Sequence, residues 1–167
     1  MRLFIAIEFD DVTKNRIYNI IEEIKHLGYS GSFVRYDNLH LTLKFIGEQN
    51  SYKNILTAMA AAERFNRFKI SLSGFGFFKD ILWMGVNEGG ELTKLYETLE
   101  NSLSDLGFGK ETRPFRPHIT LARRFKNRDF SYENSEVVDV NVNSITLMES
   151  ILGDRVVYKP IKRVYLK

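Results

Sequence analysis

Apolar residues recur along the chain in two rhythms, a period of two over short runs and a period near 3.6 between them. Leu3 to Phe9 predicts a buried strand. Asp10 or Asp11 is placed to cap a helix running to about Leu27, with Ile17, Ile20, Ile21 and Ile24 as its inward stripe and Gly28 as its stop. Ser32 to Arg35 predicts a short strand, Asp37-Asn38 a turn, and His40 to Ile46 an alternating strand ended by Gly47. Ser51 is placed to cap a second helix through about Phe65. Phe68 to Phe78 and Ile81 to Val86 flank the tight turn Lys79-Asp80 and predict a hairpin.

A second series follows. Gly89-Gly90 leads into a helix from about Glu91 to Leu106, Gly107 ends it, and Pro114-Phe115-Arg116-Pro117 makes an extended approach to His118. Phe125 to Glu136 is polar, has no helical stripe and predicts a loop. Val138 to Glu149 and Arg155 to Tyr165 predict strands around a Gly153-Asp154 turn, with Pro160 at an edge or bulge.

The two series repeat one another. His40-Leu41-Thr42-Leu43 returns as His118-Ile119-Thr120-Leu121. Leu27-Gly28-Tyr29 returns as Leu106-Gly107-Phe108, with Gly28 twelve residues before His40 and Gly107 eleven before His118. Ile5 and Trp83 each lie 35 residues before their histidine. The expected architecture is α+β: a bilobal, duplicated fold with pseudo-two-fold symmetry, two antiparallel sheets and flanking helices around a central cleft. One domain spanning 1–167 is expected, with the internal repeat divided at about 1–78 and 79–167.

Composition narrows the function classes. A chain of 167 residues with 44% hydrophobic content suits one globular domain, and its 27% charged fraction argues against a membrane protein. No apolar run approaches the roughly 20 residues that span a bilayer, and Met1-Arg2 leads straight into an apolar strand, unlike a signal peptide. Zero cysteines exclude disulfides and thiolate chemistry. These features point to a cytoplasmic protein. A net charge of +3 is a weak hint of a polyanionic partner.

The chemistry concentrates in the tetrapeptides, which hold two of the three histidines. In a strand, His40 and Thr42 share one face while Leu41 and Leu43 share the other, and the second copy repeats this. His26 sits in the last turn of the first helix, where the dipole favours a cation, and reads as structural. Two imidazoles without a cysteine or a placed carboxylate make a poor metal site, because zinc normally takes three or four protein ligands. They make a good acid–base pair, since an unperturbed pKa near 6.5 lets one be neutral while the other is charged. The hydroxyls of Thr42 and Thr120 are spaced to hold the free oxygens of a phosphodiester between the imidazoles. Phe45 and Arg123 each lie five residues after their histidine, the ring suited to a nucleobase and the guanidinium to phosphate. Strict alternation places Arg123 on the leucine face, so it needs a bulge to reach the cleft, whereas Lys44 falls on the histidine face.

These residues resemble the two-histidine (2H) phosphoesterase superfamily, in particular the RNA 2′,3′-cyclic phosphodiesterases, also called 2′-5′ RNA ligases. The resemblance covers nearly the whole chain. It rests on Met1 to Ile7, on Asn38 to Gly47 around His40, on Pro114 to Arg123 around His118, and on Leu147 to Leu152. It implies His40 as proton donor, His118 as proton acceptor, and a bilobal fold that needs no metal or other cofactor. The implied substrate is an RNA end carrying a 2′,3′-cyclic phosphate, tRNA halves being one form, hydrolysed to a 2′-phosphate by a monomer away from any membrane. Reversal would join that end to a 5′-hydroxyl as a 2′-5′ linkage. Two alternatives remain: a phosphodiesterase for small cyclic nucleotides or ADP-ribose cyclic phosphate, and a non-catalytic module that binds RNA ends.

Overall fold

A computed structural model describes residues 1–126 and 129–167. The strands are β1 (Arg2–Glu8), β2 (Ser30–Phe33), β3 (His40–Glu48), β4 (Phe68–Phe78), β5 (Ile81–Glu88), β6 (His118–Lys126), β7 (Val138–Val142), β8 (Ser144–Ile151) and β9 (Val157–Tyr165). The helices are α1 (Asp11–His26), α2 (Lys53–Met59) and α3 (Glu91–Asp105), and short 3-10 turns run over Tyr36–Asn38 and Ala60–Arg64. The mixed fold is built on two antiparallel sheets, one ordered β3-β1-β8-β9 and the other β2-β6-β5-β4-β7.

Local chemistry accounts for the boundaries. The Asp10 carboxylate caps α1 by accepting from the Thr13 amide at 2.8 Å, a contact that stabilises such a terminus by about 1 kcal/mol. Gly28 and Gly107 follow α1 and α3 with φ of 89° and 92°, a left-handed stop that costs little without a Cβ. The second helix is shorter than expected. Ser51 Oγ accepts from the Lys53 amide at 3.3 Å, but α2 ends at Met59 and tightens into the 3-10 turn.

Each sheet draws strands from both sides of residue 78. The four-stranded sheet combines β1 and β3 with β8 and β9, and the five-stranded sheet combines β2 and β4 with β5, β6 and β7. The helices also cross over. α1 contacts β7, and its Lys25 ammonium stands 5.4 Å from the centre of the Phe33 ring in β2. α3 packs on α2 and meets β3 through Glu100, whose carboxylate lies 2.7 Å from Lys44. The back faces of both sheets therefore share one apolar core, which includes Ile5, Ile7, Leu41, Leu43, Ile119 and Leu121 with the α1 and α3 stripes. Full burial of each such side chain stabilises the fold by about 1.5–3 kcal/mol.

Two further expectations are corrected. Val138 to Glu149 is not one strand: the chain leaves the five-stranded sheet after Val142 and enters the four-stranded sheet at Ser144. The inward set slips by one position there, from Val138, Val140 and Val142 to Ile145 and Leu147, so no continuous strand could bury both sets. The stretch read as a polar loop begins inside β6, with Phe125 buried, and its residues 127 and 128 lie outside the described residues. Further on, Phe130 and Tyr132 pack against the core, and Tyr132 donates to Glu23 while Arg16 donates to Glu136 at 2.7 Å. The segment is thus fastened to α1. Pro160 sits where expected, on the edge strand β9 beside a register shift. Among the described residues, no helix is long and apolar enough to cross a membrane.

Candidate active site

The two tetrapeptides open β3 and β6, and each strand takes in one extra residue at the same point. Against β1, Ala6 pairs with Thr42 but Ile5 pairs with Lys44, so Leu43 is the additional residue. Against β5, Trp83 pairs with Thr120 but Leu82 pairs with Ala122, so Leu121 is the additional residue. A bulge of this kind reverses the side-chain parity beyond it. Before the bulge, the half-buried histidines and threonines face away from the core that Leu41 and Ile119 enter. After it, cross-strand partners reveal the faces. Lys44 is opposite the core residue Ile5, Phe45 is opposite Phe4 on the other face, and Ala122 is opposite the core residue Leu82. Arg123, next to Ala122, therefore stands on the histidine face, as the bulge requirement anticipated.

The same bulge corrects the expectation for Lys44. Its side chain is 10% exposed, pairs with the 8%-exposed Glu100 at 2.7 Å, and donates to the Gly109 carbonyl at 2.8 Å. It turns to the helix side, not to the cleft. Phe45 is 69% exposed at the cleft rim, its ring centre 6.0 Å from that of Phe4. The ladders also refine the repeat: opposite Thr120 stands Trp83, and opposite Thr42 stands Ala6, one position from the Ile5 that spacing suggested.

Both imidazoles are anchored in the same way. His40 Nδ1 lies 2.6 Å from the Asn38 carbonyl oxygen, and His118 Nδ1 lies 2.7 Å from that of Arg116. A carbonyl only accepts, so Nδ1 carries the proton in each ring and a neutral ring has its lone pair on Nε2. The bond in each case reaches two residues back along the chain. In the second copy Pro117 holds Arg116 in extended backbone, which steadies that carbonyl. His40 Nε2 meets Thr42 Oγ1 at 2.9 Å.

Aromatic rings hold the imidazoles from the side. His40 lies 5.2 Å from Phe4 and 5.0 Å, edge-on, from Tyr158. His118 lies 4.9 Å, edge-on, from Phe78 and 6.3 Å from Trp83. Gly76 makes room for Trp83, since a Cβ there would stand 2.2 Å from the indole. None of Phe4, Phe78, Trp83 and Tyr158 was singled out for the site from sequence. Phe4 and Trp83 were legible in principle, because Trp83 and Phe4's neighbour Ile5 hold matching places in the repeat, 35 residues before their histidines. Tyr158 comes from the distant β9, and no local signal marks it.

Burial holds the His40 pKa below the ordinary histidine value. The Asn38 carbonyl opposes that shift, and the charges of Arg123, His118 and Lys14 add to it. His40 is thus electrostatically coupled to His118 and Arg123 on the facing strand. Among the described residues, no group of three or more His, Cys, Asp or Glu side chains could hold a metal ion.

Comparison with known proteins gives consistent results. A family model for the 2′-5′ RNA ligase superfamily matches residues 11–154. An RNA 2′,3′-cyclic phosphodiesterase of Archaeoglobus fulgidus is 33% identical over 97% of this chain and 98% of its own length. One from Thermotoga maritima is 39% identical over 74% of this chain and 70% of its own. The crystal structure of E. coli LigT complexed with 3′-AMP superposes with a TM-score of 0.85 at 30% identity, covering 99% of this chain and 97% of that one.

The geometry makes two predictions. Lys44→Met should lower the unfolding free energy by roughly 3 kcal/mol, because it leaves Glu100 charged and buried without its partner. Pairing it with Glu100→Leu should restore most of the loss in a denaturant titration. A Lys44→Met protein of wild-type stability would show that the pair holds nothing. Arg123→Ala should raise the His40 pKa, since removing a nearby cation favours the imidazolium. An NMR titration of the ring protons checks this, and an unmoved or lowered pKa would place Arg123 out of reach.

Proposed function

The chain belongs to the 2′-5′ RNA ligase superfamily, and on that premise we propose that it is an RNA 2′,3′-cyclic phosphodiesterase. The observation that carries the reading is the matched anchoring of two imidazoles on two motif strands, each with Nδ1 on a carbonyl, and with Thr42 beside His40 Nε2. A binding module has no use for two proton-transfer groups fixed in the same tautomer. The catalytic unit is proposed to be the whole of residues 1–167, as a duplicated pair of lobes. The relatives' names and the 3′-AMP bound to E. coli LigT support RNA ends as the substrate. A monomer fits the proposal, since one chain supplies both histidines, and a cytoplasmic location is proposed with it.

In the proposed reaction, water attacks phosphorus in line with O3′. His118 Nε2 takes the proton from that water as the new P–O bond forms. The P–O3′ bond breaks and His40 Nε2–H gives its proton to O3′, leaving a 2′-phosphate and a 3′-hydroxyl. Solvent exchange returns both rings to their starting states. Thr42 and Thr120 donate to the two non-bridging oxygens, and Arg123 balances charge that builds on them. In the free site Thr42 occupies His40 Nε2, so substrate must draw that hydroxyl onto a phosphate oxygen while Nε2–H turns to O3′. Phe45 offers an exposed ring at the cleft rim on which a base can stack. The same groups run in reverse would join the cyclic phosphate to a 5′-hydroxyl.

The lowered pKa of His40 bears on its role as donor. In the free site burial and the neighbouring cations favour the neutral ring. An anionic phosphodiester sets a negative charge against those cations and favours the imidazolium. The limb of the pH profile that belongs to His40 should therefore stand at higher pH in kcat than in kcat/KM. Identical limbs would mean that bound phosphate does not stabilise the donor.

Product analysis with an oligonucleotide ending in a 2′,3′-cyclic phosphate tests the function directly. The expected product is a 2′-phosphate, formed equally well in excess EDTA. Binding without turnover would favour the binding module, and turnover confined to free cyclic nucleotides would favour the small-molecule reading. His40→Ala and His118→Ala should each cost roughly 10²–10⁴ in rate. A substrate with an acidic leaving oxygen needs no donated proton, so it should rescue His40→Ala and not His118→Ala. Equal rescue of both would overturn the assignment of roles.

A further inference from the structure

The cleft opens at one end into a cavity of about 760 Å³ that shares Asn38, Arg123 and Tyr158 with the surroundings of His40 and whose other walls the two-histidine chemistry does not use. Four arginines line it: Arg35 from the segment before β3, Arg123 and Arg124 from β6, and Arg155 from the turn between β8 and β9. Among the described residues, none of the four is in an ion pair. Asp80 and Asp154 are the carboxylates in the lining, so four guanidinium charges face two negative ones. Unpaired like charges gathered in a concave wall repel one another and focus a positive field into the space between them. Arg124 is also held at a φ of 49°, a left-handed backbone that a side chain with a Cβ rarely adopts.

The lining and its position identify that ligand. Planar guanidinium groups fork onto phosphate oxygens, and the same cavity carries the rings of Phe33 and Tyr158. Arginines interleaved with aromatic rings are the usual lining of a channel for single-stranded nucleic acid. Tyr158 also stands edge-on to His40 at 5.0 Å, so the cavity begins at the proposed donor. The reacting phosphate lies at the histidines with Arg123 beside it, so an anion for Arg35, Arg124 and Arg155 must be a second one. A cyclic mononucleotide has none to offer. A strand of RNA offers its internucleotide phosphates.

We infer that this arginine cavity binds the internucleotide phosphate next to the reacting end, so that oligoribonucleotides are preferred over cyclic mononucleotides. The inference rests on the phosphodiesterase reading. It is tested by measuring kcat/KM for a nucleoside 2′,3′-cyclic monophosphate and for a short oligoribonucleotide ending in the same cyclic nucleotide, across a range of salt. At low salt the oligonucleotide should be preferred by roughly tenfold or more, and the preference should shrink as salt rises. Arg35→Ala and Arg155→Ala should each lower kcat/KM for the oligonucleotide several-fold through KM, and reduce its log–log salt slope by about one. Both should leave the mononucleotide rate unchanged, which also certifies that the variants fold. Equal kcat/KM for the two substrates, or variants that slow both alike, would overturn the inference while leaving the phosphodiesterase reading intact. Turnover of neither substrate would overturn that reading and the inference with it.

Discussion

The site depends on one extra residue in each motif strand. A regular strand offers every second side chain to one face, so a regular His-x-Thr-x-x-x strand would present its histidine, its threonine and the residue after Leu43 or Leu121. The bulge at those leucines passes over that residue and presents the next one. In β6 this exchanges the small, buried Ala122 for the guanidinium of Arg123. In β3 it sends Lys44 into the helix side and frees the Phe45 ring. Had β6 stayed regular, Arg123 would have entered the core unpaired, at a desolvation cost that no contact there could offset.

The backbone device is the same in both copies, and the side chains it delivers are not. One strand brings a cation to the cleft and the other an aromatic ring. The environments of the histidines diverge accordingly. Burial holds down the proton affinity of His40, with Arg123 and His118 adding to the shift from the facing strand. The carbonyl anchoring of the rings is thus common to both motifs, while the cation of one strand and the exposed ring of the other are not.

The parts of this arrangement that were legible in sequence are those written in local periodicity. The motif strands, the α1 stripe, the Gly28 and Gly107 stops and the β4–β5 hairpin follow from spacing and turn chemistry alone. The need for a bulge before Arg123 was also legible, because a guanidinium on a leucine face is a contradiction. The matching bulge in β3 was not, since Lys44 and Phe45 can each be accommodated on either face until Glu100 is seen waiting on α3. The split of Val138 to Glu149 was readable as a slip in the apolar register at Asn143 and was missed by treating the run as one. Tyr158 and the pairing of β2 with β6 lay beyond reach, because they depend on which distant strands become neighbours.

That choice of neighbours also bears on how the chemistry is held. If each half of the chain had kept its own strands, the two motifs would sit on separate bodies joined by a linker, and their spacing would vary. Instead β2 leaves the first series to pair with β6, while β8 and β9 leave the second to extend the sheet of β1 and β3. The helices reach across as well, and the leucine faces of both sheets meet in one core. Sliding one motif strand past the other would break ladder pairings in both sheets and disturb that shared core. Proton transfer gains from such fixity, because a misplaced group loses catalysis steeply with distance. The arginine cavity lies at the edge of this framework, where β2 and β6 meet the segment before β3, the turn before β5 and the β8–β9 turn. The histidines are thus fixed by the sheets, while Arg35 and Arg155 of the proposed RNA subsite stand on connecting segments, which can change without moving either histidine.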